Sequence, residues 1–208
     1  MSGKRSDEAR PRPASVHPRP VATRGVQLCK VTASLFSSLD GAVEAPNEWQ
    51  FAFDDEMAAA MSRVLEEQDA ILLGRVTYTE SAGYWPTSAD EPFASWINNT
   101  PRFVASSTLD SVDNWPNSTL ITGSLAALVT ELRQQDGATI GTAGSPSLVR
   151  SLLGEGLLDE LTLLIHPVVA GSGRKRLFDD DAELTILELV ESQPTSSGVI
   201  IATYRPIR

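Results

Sequence analysis

Ile140-Gly-Thr-Ala-Gly-Ser-Pro-Ser-Leu-Val149 is the stretch on which the reading of this chain turns. A short apolar segment breaks at Gly144 and restarts as a helix, with Ser145 at the N-cap and Pro146 in the first turn. Serine is a favoured cap, and proline is tolerated at the first helical position because its missing N–H would be unpaired there anyway. Gly144 lets another group approach the backbone closely. Free N–H groups and the positive helix end then face whatever docks, and in an α/β chain that group is often a phosphate. An ordinary strand-to-helix turn has the same residues, so this junction alone leaves both readings open.

Working outward, the chain alternates. Val26–Leu35 is apolar and β-branched and reads as a first strand, ended by the loop Ser38-Leu-Asp-Gly41. Met57, Ala60, Met61, Val64 and Leu65 form one apolar face of a helix, with Asp54, Asp55 and Glu56 at its positive end. Ala70–Leu73 is a short strand stopping at Gly74, and Arg75–Thr79 opens a second helix. Arg102–Ala105 and Thr119–Thr122 are further apolar runs, the latter followed by a helix from Ser124. Ala138–Ile140 leads into the opening junction, whose helix buries Leu148, Val149, Leu152 and Leu153 and ends near Gly154 or Gly156. Such alternation predicts an α/β fold with a mostly parallel sheet covered on both faces. From Asp159 onward the runs 161–170, 184–190 and 199–204 read as strands with little helix between them, an antiparallel edge on the same sheet.

Composition narrows the class. The 208 residues suffice for one domain with a core, and the formal charge of −10 disfavours nucleic acid and anionic membranes as partners. Residues 1–24 carry a net charge of +4, are rich in proline and have few large apolar side chains. We therefore expect residues 1–25 to be a disordered basic tail before a domain spanning 26–208. No segment approaches the roughly 20 apolar residues that span a bilayer, and a single cysteine, Cys29, is consistent with a reducing cytoplasm.

Several chemistries drop out. Between residues 26 and 208 there is one histidine, His166, and one distant cysteine, which make no credible zinc site and give a serine nucleophile no base. His166 reads as a strand residue bonded locally rather than as a catalytic acid. The phosphate loop of nucleotide hydrolases is absent, and 140–149 fails the GxGxxG spacing. What remains is three turns rich in small and hydroxyl residues, Gly74-Arg75-Val-Thr77, Ser106-Ser107-Thr108 and Ala143-Gly144-Ser145. Each follows a predicted parallel strand, so a doubly wound sheet would gather them at its carboxyl edge, where ligands bind. A dinucleotide would use all three.

Taken with Leu72-Leu-Gly-Arg-Val-Thr-Tyr78, Tyr84-Trp-Pro86, Ser106-Ser-Thr-Leu109, Gly156-Leu-Leu-Asp-Glu160, His166-Pro-Val-Val-Ala-Gly-Ser-Gly173 and Leu177-Phe178, the chain resembles the dihydrofolate-reductase-like family. Within it, residues 26–206 look most like stand-alone relatives of the C-terminal reductase domain of the riboflavin-biosynthesis deaminase-reductase. The resemblance implies a three-layer α/β/α fold around a mixed, mostly parallel sheet of about eight strands, a homodimer, and NADPH laid across the strand ends. Gly74, Arg75 and Thr77 would then grip cofactor phosphates, Ser106, Ser107 and Thr108 the adenosine and its 2′-phosphate, and Ala143, Gly144 and Ser145 the pyrophosphate, with Ala33 and Leu148 completing the cofactor set. Many relatives have arginine where this chain has Ser107, a loss that weakens preference for NADPH over NADH unless Arg75 or Arg102 compensates. Asp40 and Trp49 would lie on a loop closing over the nicotinamide. No zinc-deaminase motif precedes the domain, so the two-step enzyme is not present in this chain.

The expected activity is hydride transfer from NADPH to a C=N, C=O or conjugated group of a small pteridine- or pyrimidine-like heterocycle, possible relatives including a 5-amino-6-(5-phosphoribosylamino)uracil reductase. The proton could come from Asp40, from Asp54 or Asp55 at the start of the first helix, or from ordered water; Asp40 is the expected donor, although a turn carboxylate capping backbone N–H groups would look the same. Trp49, Asp54 and Tyr78 are the expected substrate contacts. Two alternatives stand beside this: dihydrofolate reductase itself, which needs a carboxylate on the first long helix, and a non-catalytic nucleotide-binding dimer module.

Overall fold

The computed structural model describes residues 30–134, 139–178 and 182–207. The expected basic tail lies outside the described residues. Eight strands form one sheet in the order β4-β3-β2-β5-β1-β6-β8-β7. These are β1 (Lys30–Ser38), β2 (Ala70–Gly74), β3 (Arg102–Ala105), β4 (Ser118–Ile121), β5 (Thr139–Ala143), β6 (Glu160–His166), β7 (Leu187–Pro194) and β8 (Ile200–Pro206). The ladder from β4 to β6 is parallel throughout, and β8 and β7 add the antiparallel edge expected from the sequence.

Five helices cover the sheet: α1 (Asp55–Glu67), α2 (Arg75–Tyr84), α3 (Phe93–Asn99), α4 (Leu125–Leu132) and α5 (Pro146–Gly154). On one face Leu128, Val129, Leu132, Leu148, Val149 and Leu152 of α4 and α5 pack on Val31, Ala33, Leu35, Leu72 and Ile140. On the other face, α2 and α3 bury Tyr78 and Ile97 against Ile71, Leu73 and Val104, while Met57 of α1 meets Leu164 and Val199. Burying a Leu, Val or Ile side chain contributes about 1.5–3 kcal/mol, and these two apolar layers fix the strands between them.

The bounds of β1, β6 and β7 differ from the sequence reading, β7 running over Leu187–Pro194 where 184–190 was expected, and one helix was missed. β1 continues to Ser38 rather than Leu35, because Phe36, Ser37 and Ser38 pair with Leu164, Ile165 and His166 of β6; its expected start at 26–29 lies outside the described residues. β6 stops at His166 because Pro167 has no N–H to extend the ladder. Helix α3 was not legible: it is seven residues long and its N-cap, Pro92, offers no side-chain cap.

The order of strands matters for the site. From β1 the chain winds outward through β2, β3 and β4, returns as β5 between β2 and β1, and crosses to β6 on the far side of β1. The carboxyl ends of β2, β5 and β1 therefore flank the point where winding reverses, the place where open α/β sheets bind ligands.

Candidate active site

A cleft of about 990 Å³ wraps over these strand ends from one face of the sheet to the other. Its middle is formed by the N-terminal turns of α2 and α5. In α1 and α4 the first-turn N–H groups are served by the chain itself, since Asp54 accepts from Met57 and Ser124 from Ala127. Neither α2 nor α5 has a side-chain cap. Arg75, Val76 and Thr77 of α2 and Pro146, Ser147 and Leu148 of α5 line the cleft. Two positive helix ends thus border one space, which is a strong arrangement for an anion.

Ser145 stands at the N-cap of α5, as the sequence suggests, but does not cap it. Gly144 and Ser145 both have positive φ, 70° and 59°. That left-handed turn swings the Ser145 hydroxyl away from its own helix and across to β2, where it accepts the Gly74 N–H at 2.9 Å and donates to Thr77 Oγ1 at 2.7 Å. A side chain at Gly144 would come 3.5 Å from Thr77, and the φ would strain it. A cis peptide is common at this turn in dihydrofolate reductases; among the described residues the cis bond lies instead at Glu91–Pro92. Thr142, on the strand just before the turn, lines the cleft with a buried hydroxyl oxygen that has no partner. Buried polar atoms are rarely left so, and an orphan at the cleft wall is what a ligand-binding surface leaves behind.

Of the residues read as cofactor-binding, the structure places Gly74, Arg75, Thr77, Gly144, Ser145 and Leu148 along the cleft, with Ala143 ending the strand that carries the turn. Ala33 does not belong to the cleft: it is buried in the core beneath α4 and α5. The cleft reaches Ala105, and Ser106–Thr108 lie just past it. Ser106 Oγ accepts the N–H groups of Thr108 and Leu109, closing a local turn. Arg102 cannot stand in for a cation at Ser107. Arg102 is buried, and its guanidinium donates to the carbonyls of Ile97, Thr100 and Pro116 and to Ser118 and lies 4.0 Å over the Trp115 ring. Burial pulls it down to about 10.

Four expected substrate or catalytic residues have structural tasks instead. Asp40 accepts from the Ser38 hydroxyl at 2.6 Å and from the backbone N–H groups of Ala170 and Gly171 at 2.9 and 3.1 Å. The Ser38 and Ala170 bonds hold its carboxyl down at about 2, so it is a carboxylate fastening two loops, not an acid. Trp49 is buried, donates to the Glu44 carbonyl and packs edge-on to His166; its neighbours Ala45–Asn47 line the cleft, but it does not. Asp54 caps α1 and accepts the Ser197 N–H, and these bonds, the Ser197 hydroxyl first, hold it below the usual carboxylate range. Tyr78 is buried, bonds the Val112 carbonyl and Asn114, and packs on Trp115; burial pushes its hydroxyl up. His166 has a buried, unpartnered Nε2 rather than the expected local bond, and desolvation lowers it while Asp54 opposes the shift.

Other cleft residues escaped the sequence reading. Met61, Val64, Leu65 and Gln68 of α1 and Phe93 and Trp96 of α3 line it on one side, and Lys175 and Arg150 approach from the other. Lys175 is paired with Glu44 at 3.1 Å, and Arg150 donates to the Arg176 and Leu177 carbonyls. The apolar ones look like core in sequence because they recur on helix faces, and only the sheet's topology leaves them facing a gap. Among the described residues no cluster of His, Cys, Asp or Glu could hold a metal ion, and no helix is long and apolar enough to cross a membrane.

The chain is similar to known proteins along nearly all of this fold. The uncharacterized protein YyaP of Bacillus subtilis is 30% identical over 189 residues, covering 88% of this chain and 97% of that protein. The crystal structure of a putative riboflavin biosynthesis protein from Shewanella sp. PV-4 superposes with a TM-score of 0.71 at 19% identity, covering 86% of this chain and 99% of that one. A dihydrofolate reductase from Enterococcus faecalis complexed with NADP(H) superposes with a TM-score of 0.58 at 14% identity, covering 86% and 97%. The family model that matches, over residues 29–201, is that of the RibD C-terminal domain, and the chain, with its dihydrofolate-reductase-like sheet and switch-point cleft, belongs to that family.

Proposed function

We propose that the protein is an NADPH-dependent reductase that delivers hydride to a small heterocyclic substrate. The observation that carries this is the single hydroxyl bridge, Ser145 to Gly74 and Thr77, which holds two uncapped helix N-termini at one cleft. When bound, NADPH supplies the hydride; the protein supplies binding, orientation and exclusion of water. The first turns of α2 and α5 and the side chain of Arg75 would receive the pyrophosphate, with Gly144 allowing close backbone approach. The unpartnered hydroxyl of Thr142 would bond a polar group of the cofactor beside that turn. Leu35, Phe36 and Val43 offer an apolar wall that excludes water from the reacting centre. With Asp40 tied into its loop and Glu44 bonded to Lys175, the proton comes from solvent water.

Dihydrofolate reductase proper is the weaker reading, because α1 presents no carboxylate to the cleft: Asp54 is the helix cap, Asp55 is exposed, and the lining residues of α1 are Met61, Val64, Leu65 and Gln68. A second copy of the chain belongs to the proposal as well, docked along the outer strand β7 at its exposed Leu189 and Val190. Trp96 lines the cleft and reports on it. Titration with NADPH, followed by tryptophan fluorescence, is expected to quench with saturation in the micromolar range typical of such cofactors; no quenching at millimolar NADPH overturns the reductase reading.

A further inference from the structure

Part of the cleft is lined by Met61, Val64 and Leu65 of α1 and Phe93 and Trp96 of α3, which meet where the Trp96 indole N–H donates to the Leu65 carbonyl at 3.0 Å. Its floor is the sheet, and the floor has a hole. Gly141 of β5 has no side chain, and the place a Cβ would take is 1.9 Å from Cδ of Gln68. Gln68 is the C-cap of α1, and its carboxamide folds back to fill that gap. It lines both the main cleft and a cavity of about 50 Å³ whose other lining residues are Thr32, Ser34, Val64, Glu67, Thr139, Glu160 and Thr162. Gln68 is half-buried, and no hydrogen bond to a described residue engages either of its amide atoms.

A planar carboxamide with an open donor and an open acceptor has a natural complement. It pairs edge to edge with an adjacent N–H and carbonyl or ring nitrogen, as glutamine does with the edge of adenine. Of the charged residues lining the cleft, Glu44, Arg75, Glu80, Arg150 and Lys175, none lies on α1 or α3, so the side these two helices line suits a flat neutral ring rather than an anion. We propose that Gln68 is the specificity-determining residue of the acceptor half and recognises the cyclic-amide edge of a planar, uncharged substrate. The assignment rests on the reductase reading, and deepens it by naming what the acceptor must present.

The test uses lumazine, a fluorescent pteridinedione with a free cyclic N–H, and 1,3-dimethyllumazine, in which that edge is blocked. Both are titrated against the whole protein with and without saturating NADP⁺, which prevents turnover. The wild type is expected to prefer lumazine by about tenfold, a difference of one good hydrogen-bonded edge. Gln68→Leu is expected to erase that preference. Gly141→Ala is expected to reduce it too, because the new methyl collides with the flexible end of Gln68 rather than with backbone, so the amide moves and the fold is kept. Both variants should retain wild-type NADP⁺ affinity. Equal binding of the two lumazines, no binding of lumazine by the wild type, or an unchanged preference in Gln68→Leu overturns the assignment. Failure of the wild type to bind NADP⁺ or NADPH overturns the reductase reading instead.

Discussion

The hydroxyl of Ser145 donates to Thr77 Oγ1 at 2.7 Å while accepting the N–H of Gly74 at 2.9 Å, so one side chain joins the β5–α5 turn to the β2–α2 turn across 68 residues of sequence. Both helix ends that border the cleft depend on it for their spacing. Ser145→Ala removes both bonds and leaves the Gly74 N–H without a partner, which costs about 1–3 kcal/mol. The expected result is a lower melting temperature together with weaker NADPH binding. Ser145→Thr keeps the hydroxyl but adds a β-branched methyl in left-handed backbone, and so is expected to retain part of the cofactor affinity while losing stability. Calorimetry and a fluorescence titration on the same samples separate the two losses.

Asp40 predicts an acid-side effect with a definite sign. Its carboxyl is held at about 2, below the ordinary 3.8, so the ionised form is favoured by folding. The stabilisation is fully present above about pH 4 and is lost as pH falls through the folded value near 2. Asp40→Asn is therefore expected to unfold at lower urea concentration than wild type at pH 5 to 7, with the two curves converging near pH 2. Because Asp40 fastens loops and donates no proton, kcat of the variant should keep the wild-type pH profile at neutral pH. A titrating limb that disappears in the variant would restore Asp40 to the chemistry.

The elements and their order were legible because period and punctuation agree along most of the chain. The apolar face of α1, the buried run Ala70–Leu73 and the Gly144-Ser145-Pro146 junction each state their structure locally, and the three hydroxyl-rich turns state the sheet edge. The side-chain roles were less legible. Asp40, Asp54 and Tyr78 are chemically able residues at suggestive places, and only the contacts with Ala170, Ser197 and Val112, each distant in sequence, show them occupied. Gln68 was passed over for the converse reason. A polar residue ending a helix carries no signal, and its position over Gly141 follows from the packing of α1 on a strand more than 70 residues away.

Ser107 predicts cofactor preference. The turn after β3 is closed by Ser106, Ser107 is exposed, and Arg102, the cation nearest in sequence, is committed to carbonyls beneath Trp115. A charge-assisted bond to a 2′-phosphate contributes about 1.5–3 kcal/mol, or roughly ten- to hundredfold in affinity. We expect the wild type to bind NADPH and NADH within about tenfold of each other, and Ser107→Arg to favour NADPH by at least a further tenfold, with the gain shrinking as salt is raised. Equal ratios of the two dissociation constants in variant and wild type would mean that the adenosine end lies elsewhere.

The outer strand carries the last prediction. Among the described residues β7 has no neighbour on its far side, and Leu189 and Val190, at the bulge where its register shifts against β8, are 53% and 46% exposed. Ile186, just before the strand, is also exposed, as is Ile200 at the other end of the ladder, opposite Pro194. Natural sheets protect such an edge with charge, proline or a partner, and here Glu188 and Glu191 flank the apolar pair Leu189 and Val190. A second copy docked along this strip removes the exposed apolar area from water, and with a two-fold axis the same patch serves both chains. Light scattering is expected to give twice the 22.4 kDa chain mass. Leu189→Glu with Val190→Lys should shift the population to monomer without lowering NADPH affinity, because β7 is the antiparallel edge strand, separated from β1 by β6 and β8, and contributes no residue to the cleft. A wild type of single-chain mass at micromolar concentration would rule the dimer out.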